Sequence, residues 1–244
     1  MPVIGGHELR KATASTPLGP GKLRYNLSAP PTGVTRNPEA DGSGARIFLL
    51  SPASLAGVRG RLVLRPGGRL KLATRLQQDG LPLGELFTFV SGLYFRGKLA
   101  YAQAFAKAPA GMPGTYVITS CWGLVPPDRV MTLAQLQEMT TVPVEPSNSR
   151  YRAPLERDAR MLGELAREGC EIVLLGSIAT PKYVEPLAGI LGERLVFPAE
   201  FVGRGDMSRG GLMLRCVRAG IQLTYIPVAT AVRHGCRPPK LTPL

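Results

Sequence analysis

Between Phe201 and Arg215 the chain reads FVGRGDMSRGGLMLR, which sets one carboxylate, Asp206, between Arg204 and Arg209 and among four glycines. A carboxylate so placed can orient or deprotonate a water. Arginines on either side can hold phosphate oxygens, and glycines let a ligand come close to the backbone. Asp206 also stands where a helix would open, so helix capping is its competing role.

Hydroxyls suited to holding a ligand recur in three other short loops: Ser51 and Ser54 in SPAS, Ser120 in SCWG, and Ser177 in GSIATPK. Trp122, the only tryptophan, and Tyr94 are the aromatics placed to stack on a base extruded from DNA. The competing role for Trp122 is a buried anchor. Arg96 and Lys98 beside Tyr94, together with Lys182, Arg204 and Arg209, are the phosphate-binding candidates, and Glu85 and Glu145 are secondary carboxylates.

Charge points the same way. Thirty Lys and Arg against seventeen Asp and Glu give +13 over 244 residues. The excess is uneven: no acid lies between Asp41 and Asp79, a span holding Arg46, Arg59, Arg61, Arg65, Arg69, Lys71 and Arg75. None follows Asp206 either. Two acid-free basic segments forming one face would draw a polyanion in a salt-dependent way, which makes DNA the expected partner.

Other chemistries lack their residues. With His7 and His234 as the only histidines and Cys121, Cys170, Cys216 and Cys236 forming no CxxC pair, neither a metal site nor a disulfide framework is expected. The glycines match neither GxxxxGK[S/T] nor GxGxxG, so no nucleotide cofactor is expected. There is no GxSxG elbow, and neither histidine neighbours a suitable serine. No apolar run reaches about 18 residues, so no membrane partner is expected, and a cytoplasmic monomer is the default.

The elements that must position these residues follow from periodicity. Residues 1–44 read as an extended N-terminal arm rich in Pro, Gly, Ser and Thr, and 45–244 as a single α/β domain with a basic C-terminal tail. ARIFLL, TYVITS, CEIVLLG and RLVF are uncharged apolar runs of the kind buried on both faces of a parallel sheet. Helices are expected over FRGKLAYAQAFAK, over TLAQLQEM with a Thr132–Gln135 capping box, and over APLERDARMLGELAREG. The last carries a Leu155, Ala159, Leu162, Leu165 stripe, an i,i+4 pair of Glu156 with Arg160, and a stop at Gly169. TPKYVEPLAGIL should start at Thr180–Pro181 and break near Pro186. The alternation predicts a three-layer α/β sandwich with a mostly parallel central sheet. The four loops then stand at the carboxyl ends of its strands, where such sheets bind ligands.

In order, IFLLSPAS, YFRGKLAYA, YVITSCWGLVPPDRVM, IVLLGSIATPKYVEPL and VGRGDMSRGGLML form a pattern that resembles the YaaA-like peroxide-response proteins over about residues 45–215. The wider group is similar in fold to uracil-DNA-glycosylase-like α/β domains, which flip a base into a pocket at the strand ends and hydrolyse its N-glycosidic bond. The resemblance therefore implies a DNA glycosylase acting on a modified base, with hypermodified phage cytosine and antiphage defence as the setting. It equally implies a non-catalytic, DNA-protecting protein; a third reading is a nucleoside-processing N-glycosyl hydrolase or transferase. Neither a GQDPY-type nor an HPSP-type loop is present: Ser51-Pro52 and Gly176-Ser177 hold those strand ends. The catalytic carboxylate must then be supplied elsewhere, and Asp206 is the expected one.

Overall fold

A computed structural model describes residues 44–239 and 241, all within one compact unit; the N-terminal arm therefore lies, apart from Gly44, outside the described residues. Each of the four apolar runs is a strand: β1 (Arg46–Leu50), β3 (Thr115–Ile118), β6 (Glu171–Leu175) and β7 (Leu195–Pro198). They pair in parallel in the order β3-β1-β6-β7, and their central residues are buried. Two short antiparallel strands, β4 (Leu124–Val125) beside β3 and β8 (Tyr225–Pro227) beside β7, close the edges. The chain is thus α/β with a mostly parallel central sheet. A separate two-stranded ladder joins β2 (Leu81–Pro82) to β5 (Val130–Met131).

The described residues form eight α-helices: α1 (Val58–Leu64), α2 (Lys71–Gln78), α3 (Leu83–Ser91), α4 (Leu93–Phe105), α5 (Leu133–Thr140), α6 (Ser149–Leu165), α7 (Pro181–Leu191) and α8 (Asp206–Ala219). The chain steps from β1 to β3 in one direction across the sheet and from β3 to β6 and β7 in the other. Right-handed crossovers then set α4 on one face and α6 and α7 on the opposite one. The packing of α4 against α8 and of α6 against α7 agrees with this. The reversal falls between β1 and β6, so the loops after these two strands diverge and open a crevice.

Local chemistry explains where the helices begin and end. Thr132 and Gln135 form the expected capping box of α5. On α6, Leu155, Ala159 and Leu162 are buried and Glu156 pairs with Arg160 at 2.8 Å, but the helix stops at Leu165, which is 54% exposed, rather than at Gly169. Ala166, the buried C-cap, is already extended, and Arg194 donates to its carbonyl and to that of Gly163. Nor does α7 break at Pro186. A proline there removes the donor for the carbonyl of Lys182, four residues back, and the hydroxyl of Tyr151 on α6 donates to that carbonyl instead, at 2.7 Å.

The α4–α8 crossing depends on glycine. A Cβ on Gly97 would lie 2.7 Å from the carbonyl oxygen of Gly210, and one on Gly210 would lie 2.9 Å from the Cα of Tyr94. Both obstacles are backbone, which cannot step aside as a flexible side chain can. Gly97→Ala should therefore lower stability by about 1–3 kcal/mol from overpacking. Gly189→Ala on α7, where an added Cβ meets nothing within 4 Å, should raise it by about 0.5–1 kcal/mol. Urea unfolding of the two variants checks the pair, and a stabilised Gly97→Ala would refute the close crossing.

Candidate functional site

The crevice between β1 and β6 holds a cavity of about 360 Å³. Three of the four nominated loops converge on it. Ser51 and Ser54 come from the loop after β1, Ser177 from the loop after β6, and Asp206 from the first turn of α8. Tyr94 from α4 joins them as expected, and Ser91 and Tyr183, not among the candidates, complete the polar wall. Tyr183 directly follows the expected Lys182, and Ser91 is the last residue of α3, three positions before Tyr94.

Asp206 does not cap its helix. The N-cap is Gly205, Asp206 is the first helical residue, and no side-chain cap bond forms. Its exposed carboxylate makes no hydrogen bond or ion pair with any described residue. It acts at longer range, favouring the charged form of Lys98 and disfavouring ionisation of Tyr94 and Tyr183. A free carboxylate at the rim of a polar cavity is available for chemistry. The neighbouring glycines have separate jobs: Gly210 makes the helix crossing, and Gly203, at φ +70°, presses so close to the carbonyl of Cys236 that a side chain would collide with it.

Two of the expected phosphate ligands lie beneath the surface. Lys98 is 1% exposed, and its ammonium donates to the carbonyl oxygen of Ser51 at 2.5 Å and to Ser51 Oγ at 2.9 Å. Arg209, 9% exposed, donates to the carbonyls of Phe201 and Gly176. Each cation ties down a strand-end loop through its backbone. A lysine in YFRGKLAYA invites assignment to a solvated face, yet it follows Tyr94 by four residues and precedes Tyr101 by three, and both tyrosines are buried. That spacing was the signal that Lys98 points inward.

Neither cation has a carboxylate within ion-pair distance among the described residues. Burial pushes Lys98 down to about 7; Asp206 opposes that shift and Arg209 adds to it. Burial likewise pushes the Tyr94 hydroxyl up, with Arg209 pulling it back. Tyr94 is 8% exposed, and its buried hydroxyl meets no partner at hydrogen-bonding geometry among the described residues. Leaving such a group unpaired costs free energy, so a ligand acceptor in the cavity would be well received.

The remaining candidates lie elsewhere. Ser120 donates to the carbonyl of Met139 and borders a second cavity, also of about 360 Å³, which Lys182 lines and which shares Pro52, Ala53, Ser54 and Tyr183 with the first. Trp122 lines neither. Half-buried, it packs against the core with Arg129 over its ring at 5.9 Å, so its ring stands away from both cavities. Arg96 and Arg204 line a separate groove with Arg237. There Arg204 is engaged by the carbonyls of Glu200 and Pro239.

The acid-free basic segments are partly neutralised in space. Arg46 pairs with Glu171 across the β1–β6 register, and Arg75 pairs with Glu85 at 2.6 Å, which also occupies that secondary carboxylate. Arg59, Arg61, Arg65, Arg69 and Lys71 remain exposed, with no ion pair among the described residues. Among those residues, no group of three or more His, Cys, Asp or Glu could hold a metal, and no helix is long and apolar enough to cross a membrane.

The fold and cavity define an α/β protein with a polar cavity at the carboxyl ends of a mostly parallel sheet. Comparison with known proteins adds no likeness to this: no family model, no curated protein and no solved structure matches the chain.

Lys98 carries a stability signature. Its folded value lies below the unfolded 10.5, so the unfolded chain binds more protons between about pH 7 and 10, and stability should rise with pH across that window. Each unit of the shift corresponds to about 1.4 kcal/mol. Lys98→Met should flatten the rise, as read by chemical denaturation at several pH values; an unchanged slope would show that another group is responsible.

Proposed function

We propose that the chain is a DNA glycosylase that receives an extruded, modified base in the β1–β6 cavity and hydrolyses its N-glycosidic bond. The observation that carries this reading is the polarity of the cavity, with a free carboxylate, Asp206, at its rim and two cations without acidic partners, Lys98 and Arg209, under its floor. Breaking a C1′–N bond leaves positive charge on the sugar and negative charge on the departing base. A base lying on the floor and a sugar at the rim would find each charge met by its opposite. Asp206 would also orient the water that attacks C1′.

The hydroxyls of Ser51, Ser54, Ser177 and Tyr94 supply donors and acceptors to the base edge, and the cavity lies at the small end of ligand pockets, which run to about 300–1,000 Å³. The exposed arginines of α1 and the turn after it begin a few residues beyond Ser54, where they would meet the phosphates flanking an extruded nucleotide. A parallel sheet whose carboxyl-end loops build the site also supports the uracil-DNA-glycosylase-like reading of the fold.

The experiment is mass spectrometry of small molecules released from ordinary, uracil-containing, oxidised and glucosylated phage DNA. A released base is expected from at least one of these. Asp206→Asn should reduce that release at least ~100-fold, while the salt-dependent affinity for DNA is retained. DNA bound with no base released from any substrate would instead favour the non-catalytic, DNA-protecting protein.

A further inference from the structure

The pair at the floor of the cavity has a chemistry of its own, independent of Asp206 and of DNA. Ser51 Oγ and Lys98 Nζ are 2.9 Å apart. The amine is held in place by its second bond, to the Ser51 carbonyl oxygen at 2.5 Å, and it is enclosed by the ring faces of Tyr94 and Phe95 at 4.4 and 5.0 Å. Ser51 itself lines the cavity beside Tyr94, whose buried hydroxyl lies close enough to Ser51 and Arg209 to be influenced by both but makes no bond of good geometry to any described residue. We propose that Ser51 and Lys98 form a nucleophile–base pair and that the cavity hydrolyses small, uncharged carboxylic esters through an acyl-Ser51 intermediate.

A lysine serves as a base only when neutral. Burial favours the neutral amine and the nearby Arg209 assists, while Asp206 and the two aromatic faces oppose, and the amine is brought down to about 7. A neutral –NH2 donates one hydrogen to the Ser51 carbonyl and accepts the Ser51 hydroxyl hydrogen on its lone pair, which satisfies both observed contacts. This is the geometry by which a base activates a hydroxyl.

Each step balances without metal or oxidant. Ser51 Oγ attacks the ester carbonyl carbon as its proton passes to Lys98 Nζ, and the displaced carbonyl electron pair becomes an oxyanion that Tyr94 Oη–H meets. Collapse of that intermediate breaks the bond to the alcohol oxygen, which takes the proton from the Lys98 ammonium. Water then attacks the acyl group, giving its proton to Lys98, and Ser51 departs with that proton as the carboxylic acid forms. Asp206 at the rim and the cavity size restrict the ester to a small one bearing no negative charge.

The test treats the full chain with diisopropyl fluorophosphate, which phosphorylates activated serines with loss of fluoride, followed by peptide mapping and, in parallel, by p-nitrophenyl acetate hydrolysis. One adduct is expected, on Ser51, forming faster as pH rises through about 7. It should be absent from Ser51→Ala, and slowed ~10-fold in Tyr94→Phe and ~100-fold or more in Lys98→Met. If Lys98→Met fails to fold, the pH profile of the unaltered protein and the Ser51→Ala comparison decide alone. A Ser51 adduct forming at a rate indifferent to pH would overturn the proposal. So would the absence of an adduct together with ester hydrolysis no faster than that of Ser51→Ala. Neither reagent involves DNA, so the outcome is independent of the glycosylase reading.

Discussion

The contact between Gly97 and Gly210 sets how closely α4 and α8 approach, and most of the site depends on that distance. Tyr94 and Lys98 project from α4, and Asp206 and Arg209 from α8. A side chain at either glycine would push the helices apart and separate these two pairs of groups. Asp206 would then lose its influence on Lys98, and the buried amine would lose its acidic counterweight. Backbone packing and site electrostatics are therefore one problem here.

Lys98 and Arg209 illustrate a second economy. Each is buried without a carboxylate at ion-pair distance among the described residues, an arrangement that costs stability unless the donors are otherwise satisfied. Backbone carbonyls of the strand-end loops satisfy them. The loops gain a fixed conformation, and the charge of Arg209 is held beneath the cavity without being exposed to water.

The fold was legible because the parallel strands are short, uncharged and separated by helical periodicity. All four apolar runs became strands, and the loops after β1 and β6 together with the opening of α8 met in one cavity. The errors have physical causes. Residue type alone assigns Lys98 and Arg209 to phosphate binding at the surface, but a long side chain can turn inward when carbonyls await it. Trp122 sits in a strand-end loop, as a stacking residue would, but its ring packs against the core. Arg46 and Arg75 lie in acid-free sequence yet meet Glu171 and Glu85, respectively 125 and 10 residues away, because chain distance says nothing of register or helix packing. The antiparallel edge strands β4 and β8 are too short to show a period.

The bond from Tyr151 to the carbonyl of Lys182 ties α6 to the first turn of α7, the turn that carries Tyr183 into the cavity wall. It exists because Pro186 cannot supply the donor. Proline at 186 and a hydroxyl at 151 are therefore physically coupled, although 35 positions separate them in the sequence. A lineage that exchanges the proline releases the tyrosine from its duty, whereas one that loses the tyrosine first must pass through an orphaned carbonyl. Losing the hydroxyl first therefore costs more than losing the proline first.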